Sequence, residues 1–193
     1  MMKDKGRIFN RNHYSRRSFL KGSLAGAFLL FASPALGALK PYDPFPEGTL
    51  SLHNAHTDEK LQVTYRDASG KYNEESLKEL NHFLRCHYTQ KVIAIDIRVI
   101  EFLNLVHKKV GGDHEIEVIS GYRSPEYNSL LVREGRGAAK HSLHLKGKAI
   151  DIRIPEVGLD RLQRTAMSLE FGGVGYYPKS GFIHLDSGDI RSW

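Results

Sequence analysis

Three side chains stand out for the chemistry they could do together: His144, Asp151 and His184. The first two lie in Ser142-Leu143-His144-Leu145-Lys146-Gly147-Lys148-Ala149-Ile150-Asp151, the third in Phe182-Ile183-His184-Leu185-Asp186. Two neutral imidazole nitrogens and one carboxylate oxygen suit Zn²⁺ and leave a further coordination position open. An open position separates a catalytic zinc from a structural one, so convergence of the three would make the protein a metallohydrolase. Spacing alone does not establish that convergence. His144 and Asp151 are not a helical i, i+4 pair. Gly147 can turn a loop into the strand that carries Asp151, and His184 must then arrive from a neighbouring strand. The competing reading makes His144 a loop histidine and Asp151 a hydrogen-bonded residue at a sheet edge. The remaining histidines are scattered and read as surface or half-buried packing, with His141 a weak alternative ligand.

The elements that would position this set can be read from periodicity. Gly48 to Arg66 alternates apolar and polar residues around Asn54 to Glu59, which predicts a hairpin. Asn73 can cap a helix running to about His87, and a second helix spans Asp96 to Lys109 before Gly111-Gly112. Ile116 to Ile119 is a short strand leading into Ser120-Gly121-Tyr122-Arg123-Ser124-Pro125, after which Tyr127 to Val132 reads as helical. Lys148 to Ile154 alternates again, with Ala149, Asp151 and Arg153 on one face and Ile150, Ile152 and Ile154 on the other. A helix from Leu159 to Phe171 stops at Gly172-Gly173, and strands over Val174 to Tyr177 and Phe182 to Leu185 follow. Tyr176 and Tyr177 read as buried aromatic packing or as a cleft wall. The expected architecture is single-domain α+β, a mostly antiparallel sheet with flanking helices.

The formal charge of +6 excludes less than it suggests until it is located. Residues 1–37 carry seven basic side chains and one acidic, so the rest of the chain balances. A basic nucleic-acid footprint is therefore not expected in the body of the protein. The charged segment reads as an export leader: Ser15-Arg16-Arg17-Ser18-Phe19-Leu20-Lys21, an apolar run from Ala25 to Ala32, then Pro34-Ala35-Leu36-Gly37 ahead of Ala38. Twin arginines followed by Phe-Leu-Lys resemble the bacterial twin-arginine signal, which implies the twin-arginine export machinery as a partner and a periplasmic location. Cleavage before Ala38 would leave no stable membrane span, whereas an uncleaved leader would act as an anchor. Residues 38–47, with Pro41, Pro44 and Pro46, read as a linker, and 48–193 as the catalytic domain. Cys86 is the sole cysteine, so no intramolecular disulfide forms.

The motif Ser142-x-His144-x-x-Gly147-x-Ala149-x-Asp151 resembles the signature of the zinc peptidases that include D-alanyl-D-alanine carboxypeptidases and dipeptidases. Lysostaphin-type enzymes and the hedgehog fold share that zinc core. Within this group the chain is similar to the murein endopeptidase K type, on Ser120 to Ser124, Ser142 to Asp151, Gly172 to Tyr177 and Phe182 to Trp193. The resemblance implies a zinc metallopeptidase acting on peptidoglycan (murein) peptides, with Zn²⁺ held by His144, Asp151 and His184. It places Arg123 at the substrate, on a peptide carboxylate or the developing oxyanion, where a planar donor fork suits both tasks. The alternative for Arg123 is a structural pair with a buried carboxylate. Ser142 is expected near the substrate as a hydrogen-bond partner, not as a nucleophile. Relatives commonly carry an acid three positions before the last histidine, or a histidine two before it; here those positions hold Gly181 and Phe182. Asp186 is the nearest substitute. It could take a proton, orient His184, or only begin an Asp-Ser-Gly turn. Without a proton acceptor, the alternative function is a peptidoglycan-binding module that keeps the zinc core; a regulator with no metal is a third.

Overall fold

The computed structural model describes residues 47–193; the leader expected over 1–37, and all of the expected linker but Glu47, lie outside the described residues. Among the described residues there are seven strands and four α-helices. β1 (Gly48–Asn54) and β2 (Lys60–Arg66) form the expected antiparallel hairpin. Then come α1 (Glu74–Phe83), α2 (Ile97–Val110), β3 (Ile116–Ser120), α3 (Pro125–Arg133) and a 3₁₀ turn (Leu143–Lys146). β4 (Ala149–Arg153), α4 (Leu159–Met167), β5 (Gly173–Tyr177), β6 (Phe182–Asp186) and β7 (Arg191–Ser192) complete the chain. The strands form one sheet in the order β2-β1-β3-β4-β6-β5-β7.

That sheet is mixed, with four antiparallel and two parallel pairings among the described residues. β1–β3 and β5–β7 are parallel, while β1–β2, β3–β4, β4–β6 and β5–β6 are antiparallel. β3 runs parallel to β1 because the hairpin reverses the chain once and the connection through α1 and α2, which leaves from β2, reverses it again. The second parallel pairing comes from β7, which is too short to announce itself by alternation.

Helix boundaries follow their caps. Asn73 Oδ1 accepts from the backbone N–H groups of Glu75 and Ser76, and Asp96 Oδ1 from that of Arg98. Ser124 caps α3 through Tyr127 N, with Pro125 at the first helical position. α1 ends at Phe83, short of the expected His87, because the Leu84 carbonyl accepts from Tyr122 N and the Cys86 N–H goes to Lys91 O. α4 ends at Met167, short of Phe171, where Glu170 turns left-handed at φ +48°.

The core lies between the sheet and helices α2 and α4. Ile150, Ile152, Ile183, Leu185 and Val174 meet Phe102, Leu103, Val106, Leu162 and Ala166, all essentially sealed from solvent. Each fully buried Leu or Ile contributes roughly 1.5–3 kcal/mol. Because strand side chains alternate, the isoleucines of β4 and β6 that feed this core turn Asp151, His184 and Asp186 to the opposite face. A second small cluster of Cys86, Tyr122, Tyr127 and Leu131 supports the turn between β3 and α3.

Candidate active site

Asp151 and His184 are directly opposed across β4 and β6 in antiparallel register. His144 reaches them from the 3₁₀ turn. Ser142 Oγ caps that turn by accepting from His144 N at 3.3 Å. Gly147 closes it in the left-handed region at φ +63°, where an added Cβ would stand 2.8 Å from the Ala94 carbonyl oxygen. The same turn is tied to its neighbours by Asp96 N to Gly147 O at 2.9 Å and by Arg123 N to His144 O at 3.1 Å. The loop-to-strand step across Gly147 therefore brings His144 and Asp151 to one point.

The three ligand atoms form a closed triangle. His184 Nδ1 is 2.8 Å from Asp151 Oδ1, His144 Nε2 is 3.2 Å from Asp151 Oδ1, and the two ring nitrogens are 3.2 Å apart. Ligands about 2.05 Å from a tetrahedral zinc stand about 3.3 Å from one another, so the set fits that ion with small adjustments. The outer nitrogens point the same way. His144 Nδ1 donates to the Gly121 carbonyl at 2.7 Å, and His184 Nε2 donates to Asp186 Oδ2 at 3.0 Å. Both inner nitrogens are thereby left with lone pairs facing a carboxylate oxygen, an arrangement that calls for a cation between them. A proton on His184 serves the same end. Burial opposes that imidazolium, but Asp151 and Asp186 outweigh it and raise the pKa above the usual histidine value. Burial likewise opposes the Asp151 anion, but the two histidines prevail and hold its carboxyl far below the carboxylate range. All three side chains are buried.

Asp186 stands behind His184, on the ring nitrogen away from the triangle. Its two oxygens accept four hydrogen bonds, from His184 Nε2, Gly188 N at 2.8 Å, Arg191 Nη1 at 3.1 Å and Arg191 Nη2 at 2.6 Å. That saturates a carboxylate, and Asp186 is fully enclosed. It accepts from His184 and begins the Asp-Ser-Gly turn, and four donors already occupy its two oxygens. Burial pushes its pKa up, yet His184, Arg191 and Gly188 bring it down to about 2.

Arg123 lies over the outer oxygen of Asp151. Its Nη2 is 3.4 Å from Asp151 Oδ2 and 3.4 Å from Ser120 Oγ, and its Nη1 is 3.5 Å from Asn128 Oδ1. These contacts are long, and the buried Nε meets no acceptor among the described residues. The guanidinium is positioned more than it is satisfied.

These groups open into a cleft of about 480 Å³, the scale of a site for a small molecule or a short peptide. Ser142 and the exposed His141 lie on its wall, and His141 is not among the converging atoms. Tyr177 also lines it, stacked on Phe182 at 4.8 Å between ring centroids, whereas Tyr176 packs against the core. Gly181 has φ +73° in the β5–β6 turn. Arg191 and Trp193 also line the cleft, and sequence reasoning had no role for either. Both lie in the Phe182 to Trp193 segment that carries part of the resemblance, but an arginine and a tryptophan after a turn have no periodicity to assign them a role.

Comparison with known proteins gives a consistent picture. The sequence model of the family described as peptidoglycan L,D-endopeptidase MepK matches residues 46–193. The peptidoglycan L,D-endopeptidase MepK of Escherichia coli (strain K12) is 37% identical over 180 residues, 93% of this chain and 97% of that protein. A probable peptidoglycan L,D-endopeptidase MepK of Haemophilus influenzae is 41% identical over 145 residues, 75% of this chain and 77% of its own length. No solved structure matches. With sheet, cleft and converging ligand atoms in place, and relatives matched over most of their length, the chain belongs to the peptidoglycan L,D-endopeptidase MepK family.

Proposed function

We propose that this protein is an exported zinc endopeptidase that hydrolyses peptide cross-links or stem peptides of bacterial peptidoglycan. The names of its relatives support the substrate. The observation that carries the chemistry is the triangle of His144 Nε2, Asp151 Oδ1 and His184 Nδ1.

His144, Asp151 and His184 would hold the zinc, which would supply a Lewis acid able to polarise a carbonyl and acidify water. The chain's own groups do the rest. The Gly121 carbonyl and Asp186 fix the two imidazoles in the tautomer that presents a lone pair. Asp186 acts by positioning His184, since four donors already occupy its two oxygens. Arg123 offers its unfilled donors to a substrate carboxylate or to negative charge developing on the carbonyl oxygen. Ser142 acts through the turn it caps, with its place on the cleft wall as a secondary contact. The leader over 1–37 and its twin arginines support export by the twin-arginine machinery into the periplasm, where the substrate lies. Among the described residues no helix is long and apolar enough to cross a membrane.

A second reading, a peptidoglycan-binding module, draws on one observation. Among the described residues, the only acidic side chains lining the cleft are Asp151 and Asp186, and both are engaged. Digestion of purified murein separates the two readings. Zinc-loaded protein should release cross-link fragments identifiable by mass, while chelator-treated protein and a His184→Ala variant should release none. Binding to murein without release under all conditions would leave the module.

A further inference from the structure

The cleft contains a device that the ligand set does not require and that arrives from the least conspicuous element of the fold. β7 pairs with β5 in parallel, Gly173 opposite Arg191 and Val174 opposite Ser192. This register carries Arg191 over Gly173, which is also paired with Asp186 on β6. There the guanidinium grips Asp186 with both arms, Nη2 to Oδ2 at 2.6 Å and Nη1 to Oδ1 at 3.1 Å. Gly173 makes the grip possible. A Cβ at that position would stand 2.5 Å from Arg191 Nη1 and 2.5 Å from Asp186 Oδ2. The arginine is also steadied from its other side, its guanidinium carbon 4.9 Å from the centre of the Trp193 ring. Trp193 is in turn fixed by its indole N–H donating to Tyr177 Oη at 2.8 Å.

We propose that Arg191 is a positioning residue for the metal centre, acting through Asp186 on His184. The inference rests on the metal-binding reading of His144, Asp151 and His184. A carboxylate behind a ligating imidazole can tip or rotate, and with it the ring it holds. The two-pronged grip removes that freedom, because a planar fork fixes the plane of the carboxylate as well as its place. It also balances the charge of a fully enclosed anion whose other partners are one imidazole and one backbone N–H. Without Arg191, Asp186 has reason to swing toward solvent, and His184 loses the acceptor that holds its tautomer.

The competing role is mechanical: Arg191 simply pins β7 to the sheet. The two roles differ in what they move. With the full chain, zinc affinity is measured by competition against a chromophoric chelator for wild type, Arg191→Met and Arg191→Lys, alongside the absorption spectrum of the Co²⁺-substituted proteins. Arg191 is half exposed, so its methionine variant should fold. The expected result is zinc binding weakened roughly 10–100-fold in R191M with an altered Co²⁺ spectrum, and partial recovery in R191K, which restores charge without the fork. Wild type that holds zinc beside an R191M variant that holds it equally, with an unchanged spectrum and only a lower melting temperature, would overturn the clamp and leave the metal centre standing. Wild type that takes up no zinc would overturn both.

Discussion

Among single residues, Arg123 is where a structural and a functional role can be told apart. A structural partner of Asp151 would be expected at charge-assisted distance, about 2.7–2.9 Å. Arg123 stands at 3.4 Å, with a buried Nε that meets no acceptor among the described residues. By contrast Arg66 and Glu101, a buried pair far from the cleft, are 2.8 Å apart. Donors held in place but underused in the protein are what a transition state would recruit. The expected outcome for Arg123→Ala is a fall in kcat/KM on a cross-linked muropeptide of roughly 10²–10³-fold, with zinc still bound one to one. Loss of zinc in step with loss of rate would instead make Arg123 a support for Asp151. At this scale the converging ligands were readable because a glycine-interrupted His/Asp spacing and a strand histidine carry a recognisable signature. The grip of Arg191 was not, since it depends on which strand lies beside which.

At the scale of elements, the site is a problem of delivering a loop to a strand pair. β4 and β6 come into register through ordinary alternation, which is why their boundaries could be placed within a residue from sequence. The 3₁₀ turn that presents His144 was read only as a loop, because four residues are too few to show a period. Its closing residue was nevertheless visible as a glycine with a job. Gly147 combines φ +63° with a neighbour that is backbone and cannot yield, the Ala94 carbonyl. Gly147→Ala should therefore cost stability twice, through conformation and through the clash, on the order of 2–3 kcal/mol. Displacement of the turn should reach His144 first. Thermal melts of metal-free protein and zinc titrations of the same variant provide the check. A variant that melts lower but binds zinc as wild type would show that the turn can shift without carrying the histidine along.

At the scale of the whole molecule, the second cluster links acid stability to the site. His87 lies face to face with His56 at 3.8 Å between ring centroids and meets the edge of Tyr127 at 4.8 Å. Burial foremost, then the charges of His56, Arg123 and Arg136, bring its pKa down to about 4. In the unfolded chain a histidine titrates near 6.5, as an ordinary group does. Between those values the unfolded chain binds more protons than the folded one, so stability is fully present above about 6.5 and drains away as the pH falls toward about 4. Because the ring is only partly covered, the loss amounts to about 1–2 kcal/mol, less than the full shift would give. The cluster that would loosen also carries Tyr122 and Tyr127, which flank the turn bearing Arg123, so acid should disturb the cleft before the main core yields. Melting of metal-free protein from neutral pH down to about 4.5 tests this, with metal left out so that its release does not contribute. A His87→Gln variant is expected to lose less stability than wild type over that interval. Parallel curves for the two proteins would place the acid sensitivity elsewhere, most directly in the carboxylates Asp151 and Asp186, whose pKa values are held low in the folded chain.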